Sequence, residues 1–570
     1  MAPLLQIRNL SIDFVTENGI VPAVHNVTME VNRGEVVAIV GESGSGKSVT
    51  SLSVLKLLPS PPARYSGGEI LFSGDNDSTT DLLKLTAEHL QSVRGNQIAM
   101  IFQEPMTSLN PVLTCGSQVM EAIQLHKKSS REEARIQTME LFEKVKLPDP
   151  ENIFNRYPHQ LSGGQKQRVM IAVAMSCDPA LLICDEPTTA LDVTVQKTIL
   201  QLIKTLQQER NIGVIFITHD LGVVAEIADR AVVLYKGEIV EQGDVMQLFA
   251  DPKHPYTKGL LMCRPVLHPK GERLPVISDF LNEDNKERTF TKTAAKIAAS
   301  FRTDKVLISV QQLNVWYPSS KTFFGKVTSY TKAVHNVSFE VFQGETLGLV
   351  GESGCGKTTL GRALLRLVEP VSGKIIFNGE DLLARKAESL KEMRKDIQIV
   401  FQDPYSSLNP RLTIGSAISE ALKVHHMIPG ERQRKDRVME LLEKVNLKTS
   451  YFDRYPHEFS GGQRQRIVIA RALALNPSFI VFDESVSALD VSVQAQVLNL
   501  INDLKKELGF TVIFISHDLA VIRYISDRIL VMNKGQIEEI GEAEEIYNHP
   551  KKDYTRTLLE AIPGKGNSIR

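Results

Sequence analysis

The feature that most constrains this chain is an internal duplication. The segment VVAIVGESGSGKS, which ends at Ser48, returns as TLGLVGESGCGKT, which ends at Thr358. Further along, RYPHQLSGGQKQR returns as RYPHEFSGGQRQR, and LLICDEPTTALD from Leu181 returns as FIVFDESVSALD from Phe479. A repeat of about 260 residues is far longer than the 20–50-residue units of solenoids, so the sequence predicts two copies of one complete domain.

The duplicated segments divide the chain into two domains and a linker. The first domain covers residues 1–270 and the second residues 304–570, each with a C-terminal extension. Between them, the stretch from Leu281 to Lys305 is polar and mixed in charge, a composition typical of a solvated tether. We therefore predict a passive linker over residues 271–303, with one short helix at residues 293–301.

One copy is longer than the other between two of its motifs. Lys47 and Gln103 are 56 residues apart, whereas Lys357 and Gln402 are 45 apart. The first copy therefore carries an 11-residue insertion. We expect it in a loop around residues 74–80, where small and polar residues cluster.

Short apolar runs without polar alternation recur in both halves, which is typical of strands buried on both faces of a parallel sheet. They cover residues 36–40, 181–184, 214–217, 231–235 and 347–350. Ser130 and Glu133 form a capping-box pattern that begins a run with helical spacing, and the second half repeats this spacing around Val438 and Leu441. The pattern predicts an α/β nucleotide-binding core with an inserted helical subdomain in each half.

Composition narrows the class of protein. Net charge is −1, which argues against a generally basic nucleic-acid-binding surface, although a local basic patch stays open. No run of 18 apolar residues occurs, and the first residues lack a basic segment followed by a long apolar one. We therefore expect no membrane-spanning helix and no secretory signal. Five cysteines at irregular spacing favour reduced thiols over a disulfide framework or a zinc site.

A phosphate-binding loop follows the first of these apolar runs in each half. Residues 41–48 and 351–358 both match GxxxxGK[ST]. Glycines let backbone N–H groups wrap a phosphate at a helix N-terminus, the lysine reaches the β- and γ-phosphates, and the hydroxyl residue can bind Mg²⁺. The predicted nucleotide-binding residues are Gly41, Gly44, Gly46, Lys47 and Ser48 in the first half and Gly351, Gly354, Gly356, Lys357 and Thr358 in the second.

An Asp–Glu pair ends an apolar run in each half. The pairs are Asp185 and Glu186, and Asp483 and Glu484. An aspartate in this position can hold Mg²⁺ through water, and the adjacent glutamate can polarise an attacking water molecule. The position of each pair, at the end of a strand and downstream of a phosphate loop, favours this role over a solvated loop.

A histidine follows the next apolar run in each half. His219 and His517 each lie 33 residues after the glutamate. A lone histidine is more often structural, but recurrence at the same distance favours a contact with the γ-phosphate.

The SGGQ motif completes the pattern. Ser162-Gly163-Gly164 and Ser460-Gly461-Gly462 precede predicted helices and can present a hydroxyl and backbone donors to a phosphate. One domain cannot easily supply two phosphate cradles to one nucleotide. At this point the chain resembles two ATP-binding-cassette (ABC) domains fused in tandem. The resemblance implies two P-loop NTPase domains, each a RecA-like core with a β-subdomain and an inserted helical subdomain, that pair head-to-tail with ATP between them.

The resemblance also implies the composition of two sites. The first combines Lys47, Ser48, Gln103, Asp185, Glu186 and His219 with Ser460, Gly461 and Gly462. The second combines Lys357, Thr358, Gln402, Asp483, Glu484 and His517 with Ser162, Gly163 and Gly164. The implied Mg²⁺ ligands are Ser48, Gln103, Asp185, Thr358, Gln402 and Asp483, and the implied catalytic residues are Glu186, His219, Glu484 and His517. The family's aspartate that follows the Asp–Glu pair maps to Asp192 and Asp490.

The assignment of the residue that stacks on adenine has an equally good alternative. The family's adenine-stacking aromatic maps to Phe14 and Tyr317, where ordinary strand packing explains the residues as well. In the second half, Ser485 stands where the family commonly has proline, and Val486 also departs from the usual pattern. Neither carries catalytic chemistry, so we expect both sites to hydrolyse ATP.

The flanking residues favour one branch of the family. FQEPMTSLNP, FQDPYSSLNP and the HPYT segment at His254–Thr257 are similar to the oligopeptide/dipeptide/nickel importers, as a D-type half fused to an F-type half. The resemblance implies an ATPase subunit of an importer, peripheral to the cytoplasmic side of the inner membrane. Its implied partners are two membrane permease subunits and a solute-binding protein, with no nucleic acid.

Two other functions share the domain organisation. Twin-cassette translation factors act on the ribosome, but they generally carry a longer, strongly basic linker and lack the SLNP and HPYT flanks. Sugar-importer ATPases with fused cassettes usually depart from consensus in one half. The transported substrate, whether peptide, glutathione, opine, nickel chelate or peptide antibiotic, is not written in this sequence.

Overall fold

The computed structural model describes residues 2–17, 19–74, 79–103, 108–189, 191–282, 302–321 and 327–563. The chain folds into two compact units. The first extends to Leu261 and also includes Pro563, and the second extends from Met262 to Ile562. The sequence places the end of the first domain at residue 270, whereas the structure groups residues 262–270 with the second unit. The helix expected at residues 293–301 lies outside the described residues.

The first unit is built on two sheets. Its strands are β1 Leu5–Thr16, β2 Gly19–Val31, β3 Val36–Val40, β4 Ala63–Ser73, β5 Thr79–Asp81, β6 Ile98–Ile101, β7 Leu181–Asp185, β8 Gly213–Ile217, β9 Arg230–Tyr235 and β10 Glu238–Asp244. The central sheet has the order β10-β9-β3-β8-β7-β6, parallel from β9 to β6, with β10 antiparallel to β9. The second sheet, β2-β1-β4-β5, is antiparallel. This arrangement confirms the predicted α/β core.

Helices connect the parallel strands and form an inserted layer. They are α1 Lys47–Val54, α2 Ala87–Val93, α3 Cys115–Lys127, α4 Arg131–Lys144, α5 Pro150–Asn155, α6 Gly163–Met175, α7 Val193–Arg210, α8 Leu221–Ile227, α9 Val245–Ala250 and α10 Pro255–Met262. Ser130 caps α4 together with Glu133 in the predicted capping box. Helices α3 to α5 lie between β6 and β7 in the chain, and they are the inserted helical subdomain that the sequence predicts.

The central strands are apolar throughout because each of their faces packs against a different core. In β7, Leu182 and Cys184 belong to the cluster shared with helices α3, α4, α6 and α7. Leu181 and Ile183 belong to the cluster shared with the antiparallel sheet. Successive side chains of a strand point to opposite faces, so a strand between two cores has no polar alternation.

The second unit repeats this architecture. Its strands are β11 Val306–Lys321, β12 Val327–Phe342, β13 Thr346–Val350, β14 Ser372–Phe377, β15 Glu380–Asp381, β16 Ile397–Val400, β17 Phe479–Asp483, β18 Thr511–Ile515, β19 Arg528–Asn533 and β20 Gln536–Glu542. The central sheet has the order β16-β17-β18-β13-β19-β20 and the antiparallel one β12-β11-β14-β15. The same order of strands in both units confirms the duplicated fold.

The helices of the second unit begin before its first strand. They are α11 Ile277–Leu281, α12 Lys357–Leu364, α13 Ala387–Met393, α14 Ile414–Val424, α15 Glu431–Lys444, α16 Gly461–Leu473, α17 Val491–Leu508, α18 Leu519–Ile525, α19 Ala543–Asn548 and α20 Asp553–Glu560. Within the described part of the chain, every helix is too short or too polar to traverse a bilayer.

The 11-residue difference between the halves is split between two places. Ile70 and Ile375 occupy equivalent positions in β4 and β14, opposite Ile7 and Val310. Ile70 lies 23 residues after Lys47, whereas Ile375 lies 18 after Lys357, so five residues enter before this point. Most of the rest enter between β4 and β5. The expectation of a single insertion at residues 74–80 was therefore only partly right, because the segment that leads into β4 is also longer.

Candidate functional site

The phosphate loop of each unit joins the central strand to a helix through a left-handed glycine. Gly46 is the N-cap of α1 with φ 102°, and Gly356 is the N-cap of α12 with φ 106°. A Cβ would lie 2.9 Å from the Ala23 carbonyl oxygen at Gly46 and 2.2 Å from that of Ala333 at Gly356. Glycine is therefore required at this position both by the backbone angle and by the close approach of the neighbouring strand.

The lysine of each loop is buried and bent back over its own loop. Lys47 Nζ donates to the carbonyl oxygens of Gly41 and Glu42, both at 2.8 Å. Lys357 Nζ makes the equivalent bonds to Gly351 at 2.7 Å and to Glu352 at 2.9 Å. Each ammonium is thus placed in the concave side of the loop, where a phosphate oxygen would meet it together with the backbone N–H groups.

A hydroxyl and a carboxylate meet beside each lysine. Ser48 Oγ donates to Asp185 Oδ1 at 3.1 Å, and Thr358 Oγ1 donates to Asp483 Oδ1 at 2.9 Å. Burial raises the pKa of Asp185 to about 6, against the hydrogen bond from Ser48, and burial also raises the pKa of Asp483. Both pairs offer hard oxygen donors of the kind that Mg²⁺ prefers.

The glutamate after each aspartate gathers the remaining polar residues of the first site. Glu186 accepts from Gln103 Nε2 at 3.0 Å and from Thr189 Oγ1 at 3.0 Å, and its other oxygen lies 3.3 Å from His219 Nδ1. Burial raises the pKa of Glu186, but His219, Thr189 and Lys47 outweigh it and lower that pKa to about 2. Glu186 is therefore ionised at neutral pH although it is largely buried.

The second site has nearly the same arrangement. Glu484 accepts from Gln402 Nε2 at 2.8 Å, and its carboxylate lies 3.6 Å from His517 Nδ1. Burial raises the pKa of Glu484, but His517 and Lys357 outweigh it and hold that pKa below its ordinary value. The hydroxyl at the position of Thr189 differs, because Ser487 Oγ bonds the backbone carbonyl of Glu484 at 2.8 Å rather than its carboxylate.

Both glutamates have a backbone conformation that the sequence did not indicate. Glu186 has φ 46° and Glu484 has φ 47°, in the left-handed region that residues with a Cβ rarely adopt. Their N–H groups donate to Ile217 and Ile515 carbonyl oxygens, both at 3.0 Å, which holds this conformation. Residues held in this region cluster at functional sites, although other residues of both halves adopt it too.

The serine of each SGGQ motif is a helix cap. Ser162 Oγ accepts from the N–H of Gln165, whose side chain in turn accepts from the N–H of Ser162, and Ser460 does the same with Gln463. Capping uses the hydroxyl oxygen only as an acceptor, so its hydrogen stays able to donate to a phosphate. The serines and the first glycine of each motif are exposed.

The two glycines of each motif have different reasons to be glycine. A Cβ on Gly462 would lie 2.2 Å from Val493 Cγ1 on α17, whereas a Cβ on Gly461 would find its nearest neighbour, Leu489 Cδ2, at 3.9 Å. Gly164 and Gly163 show the same contrast at 2.6 Å and 3.6 Å. Packing explains the second glycine of each motif, whereas the first leaves exposed backbone that a ligand can approach.

The structure does not add the remaining predicted residues to these clusters. Phe14 packs against the core beneath the antiparallel sheet, and Tyr317 in β11 is 40% exposed. Asp192 and Asp490 occupy the N-cap positions of α7 and α17. Their predicted roles stay predictions.

Sequence reasoning missed the tyrosines that support the phosphate loops. Tyr256 Oη accepts from the N–H of Glu42 at 2.9 Å, and Tyr554 Oη accepts from the N–H of Glu352 at 3.2 Å. The sequence shows both tyrosines only as part of the family resemblance, in the HPYT segment and in its counterpart at His549–Thr555, 298 residues later at Tyr554. That recurrence is the signal for a shared role.

Comparison with protein families matches both halves. The ABC transporter family matches residues 24–189 and 334–487. The C-terminal region of oligopeptide/dipeptide transporters matches residues 240–286 and 539–570. The two family models thus follow each other twice along the chain.

Curated relatives are similar over almost the whole chain. The glutathione import ATP-binding protein GsiA of Escherichia coli (strain K12) is 50% identical over 98% of this chain and 89% of its own length. That of Pectobacterium atrosepticum is 48% identical with the same coverage. Among solved structures, the dimeric bacterial ABC transporter cassette MJ0796 is 30% identical, covering 42% of this chain and 98% of its own, with a TM-score of 0.38.

We predict that the two glycines before Gln463 respond differently to alanine. Gly462→Ala forces its Cβ into Val493, a short, stiff side chain, and we expect it to lower the free energy of unfolding of the second unit by about 1–3 kcal/mol. Gly461→Ala makes only an ordinary van der Waals contact with Leu489 and is expected to leave stability unchanged or slightly raised, since alanine favours a helix. Thermal unfolding followed by calorimetry compares the two variants. Equal destabilisation would contradict this account of the motif.

Proposed function

The chain belongs to the ABC transporter family, as an importer ATPase with the C-terminal region of oligopeptide/dipeptide transporters in both halves, and we propose that it powers the uptake of small peptides through a separate membrane permease. Glutathione is the first candidate within that class, because the curated relatives at 50% identity are glutathione import proteins. The matches in both halves leave no support for a translation factor that acts on the ribosome.

The observation that best supports ATP hydrolysis is that both halves hold the same set of site residues. In each, a buried lysine bends over its loop, a hydroxyl meets an aspartate, and a glutamine and a histidine face one glutamate. We therefore propose that both sites hydrolyse ATP.

We propose that ATP is bound by the phosphate loop of one half and by the SGGQ motif of the other. Lys47 and Lys357 neutralise the β- and γ-phosphates, and loop N–H groups donate to the same oxygens. The capped helix N-termini at Ser460 and Ser162 offer a further hydroxyl, N–H groups and partial positive charge to the γ-phosphate. A ligand that bonds both halves favours the closed state only while its γ-phosphate is present.

The donor atoms present fit a magnesium ion. Ser48 and Asp185, with Gln103 nearby, and Thr358 and Asp483, with Gln402, offer hydroxyl, carboxylate and amide oxygens, which suit this hard cation. When bound, Mg²⁺ would neutralise charge on the β- and γ-phosphates. Asp185 and Asp483 would hold it directly or through water.

Hydrolysis in this proposal depends on Glu186 and Glu484 as acceptors. Each ionised carboxylate accepts a hydrogen bond from the attacking water and orients it towards the γ-phosphorus, and then accepts its proton as the bond to phosphate forms. Gln103 and His219 hold Glu186 in place by hydrogen bonds at 3.0 and 3.3 Å. Because the carboxylate is pre-oriented, it needs no reorganisation when the reaction occurs.

Transport follows from coupling this cycle to two permease subunits. The segments after Gln103 and Gln402 would press on permease loops, so that closure of the ATPase halves changes the side on which the permease opens. A solute-binding protein would deliver the peptide. The chain would then be peripheral to the cytoplasmic face of the inner membrane.

The catalytic assignment predicts the effect of removing one charge. Glu186→Gln with Glu484→Gln keeps the size of both side chains but removes the acceptor for the water proton, so we expect kcat for ATP hydrolysis to fall about 100-fold or more. Binding of ATP is expected to persist. Steady-state phosphate release and nucleotide binding measure both quantities. The exposed Glu238→Gln serves as a control, and an unchanged rate in the double variant would refute the assignment.

The transport proposal is tested by reconstitution. We expect the chain, combined with its permease subunits and binding protein in proteoliposomes, to show ATPase activity that glutathione or short peptides stimulate, with ATP-dependent uptake of the labelled solute. The Glu186→Gln, Glu484→Gln variant should support neither. Stimulation by a nickel chelate with no response to any peptide would contradict the proposed substrate class while leaving the importer assignment intact.

A further inference from the structure

Each phosphate loop is bonded to a tyrosine from the C-terminal region of its own unit. Tyr256, at the start of α10, is fully buried and accepts from the N–H of Glu42 at 2.9 Å. Tyr554 on α20 makes the same contact with Glu352 at 3.2 Å. These tyrosines lie 214 and 202 residues from their partners in sequence. The contact is therefore a tertiary feature that recurs in both halves.

The residue whose N–H bonds the tyrosine also binds the lysine, through its carbonyl group. The carbonyl oxygen of Glu42 accepts from Lys47 Nζ at 2.8 Å and from the N–H of Ser45 at 3.1 Å. In the second unit Glu352 accepts from Lys357 Nζ at 2.9 Å and from the N–H of Cys355 at 3.2 Å. The residue at the start of the loop is thus fixed on one side by tyrosine and on the other by the lysine.

The tyrosine itself is held rigidly. In the first unit, Glu241 on β10 accepts from the N–H groups of Lys253 at 2.7 Å and His254 at 3.0 Å, just before α10. Glu539 on β20 accepts in the same way from Lys551 at 2.9 Å and Lys552 at 3.3 Å. The Tyr256 ring also packs on Tyr235 with ring centroids 4.2 Å apart. A carboxylate that fixes two N–H groups sets the start of the helix and hence the position of the tyrosine hydroxyl.

We propose that Tyr256 and Tyr554 are positioning residues that hold the phosphate loops in their nucleotide-binding conformation. This proposal rests on residues 41–48 and 351–358 being the ATP phosphate loops. It gives the C-terminal region, which distinguishes this branch of transporters, a direct part in ATP binding. Without the hydroxyl, the N–H of Glu42 or Glu352 loses its partner, the loop adopts its binding conformation less often, and apparent affinity falls by that fraction.

The test is the pair Tyr256→Phe and Tyr554→Phe in the full chain. We expect the double variant to raise KM for ATP about three- to tenfold while kcat stays within about twofold, since one neutral hydrogen bond is lost at each loop and no catalytic group changes. Tyr235→Phe is the matched control, because it keeps the ring that packs on Tyr256. Binding of a fluorescent ATP analogue should weaken by the same factor as KM rises.

Two outcomes would overturn the proposal. One is a KM within twofold of that of the Tyr235→Phe control. The other is a fall in kcat with KM unchanged, which would place the tyrosines in the chemistry rather than in binding. Both measurements use the ATPase without its permease, so their result is independent of whether the peptide-import proposal holds.

A separate observation concerns the connection between the halves. Residues 263–281, which follow α10, are part of the second unit. Leu274 is buried there, and its N–H and carbonyl both bond the side chain of Asn499 on α17, at 3.0 and 2.8 Å. Tyr524 Oη on α18 donates to the carbonyl of Glu272 at 2.7 Å. These backbone contacts dock the segment on two helices.

Charged contacts surround the docked segment. Lys270 pairs with Asp527, just before β19, and Arg273 Nη1 lies 2.7 Å from Asp503 on α17. After the stretch that the structure does not describe, the chain is attached to the same unit again. Arg302 pairs with Glu542 at 2.9 Å, and the N–H of Thr303 donates to the carbonyl of Gln343 at 2.9 Å.

We also propose that the covalent connection between the two ATPase halves is the short stretch around Leu261 and Met262, and not the polar stretch predicted as the linker. The described residues before and after residues 283–301 are both bonded within the second unit. Because the connection is short, each half experiences a high effective concentration of the other throughout the ATP cycle.

The test is cleavage at a sequence-specific protease site placed between residues 286 and 298. We expect the two fragments to co-elute on gel filtration without nucleotide and to keep ATPase activity within about twofold. The double variant Asn499→Ala, Tyr524→Phe removes docking contacts and should let the cleaved fragments separate. Gln201→Ala, at the equivalent exposed position of α7, is the control. Separation of the cleaved unaltered chain, or equal retention by the double variant, would overturn the proposal.

Discussion

The carboxyl edge of the central parallel sheet is the constraint on which the rest of each unit depends. In the first unit, β3 leads into the phosphate loop, β7 ends at Asp185, and β8 ends just before His219, with Asp185 level with Ile217 in the paired strands. Parallel strands end at the same edge, so residues 138 apart in sequence, such as Lys47 and Asp185, become neighbours. The two apolar cores on either side of the sheet hold this register. A polar cluster can therefore be built on loops without being mobile itself.

Much of this could be predicted from the sequence because its signals are local. A strand with no polar alternation, a glycine-rich turn and a hydroxyl cap each involve a few consecutive residues, and the duplication showed which of them recur. The contacts that were missed join residues far apart in sequence. Tyr256 and Glu42 are one example, and Leu274 and Asn499 are another. The left-handed conformation of the two glutamates could not be predicted for a different reason. It is set by a hydrogen bond to the neighbouring strand, and glutamate has no intrinsic preference for left-handed backbone angles.

The two sites are similar without being identical, and the differences concern the glutamate. Thr189 donates to the carboxylate of Glu186, whereas Ser487 bonds the backbone of Glu484. Ser485, at a position where the family commonly has proline, is buried. The pKa of Glu186 is accordingly lowered by one hydroxyl donor that Glu484 does not have. The two carboxylates therefore differ in the hydrogen bonds that they accept.

The docked segment and the second nucleotide site share the same two helices. Helix α17 begins after Asp490, and α18 begins after Asp518, next to His517. Asn499 and Tyr524, which bond the segment, lie further along these helices, and their side-chain oxygens are 3.5 Å apart. A segment that bonds both helices fixes the spacing between them, and a helix moves as a rigid element over such a distance. The docked segment therefore bonds the same two helices that begin next to Asp490 and His517.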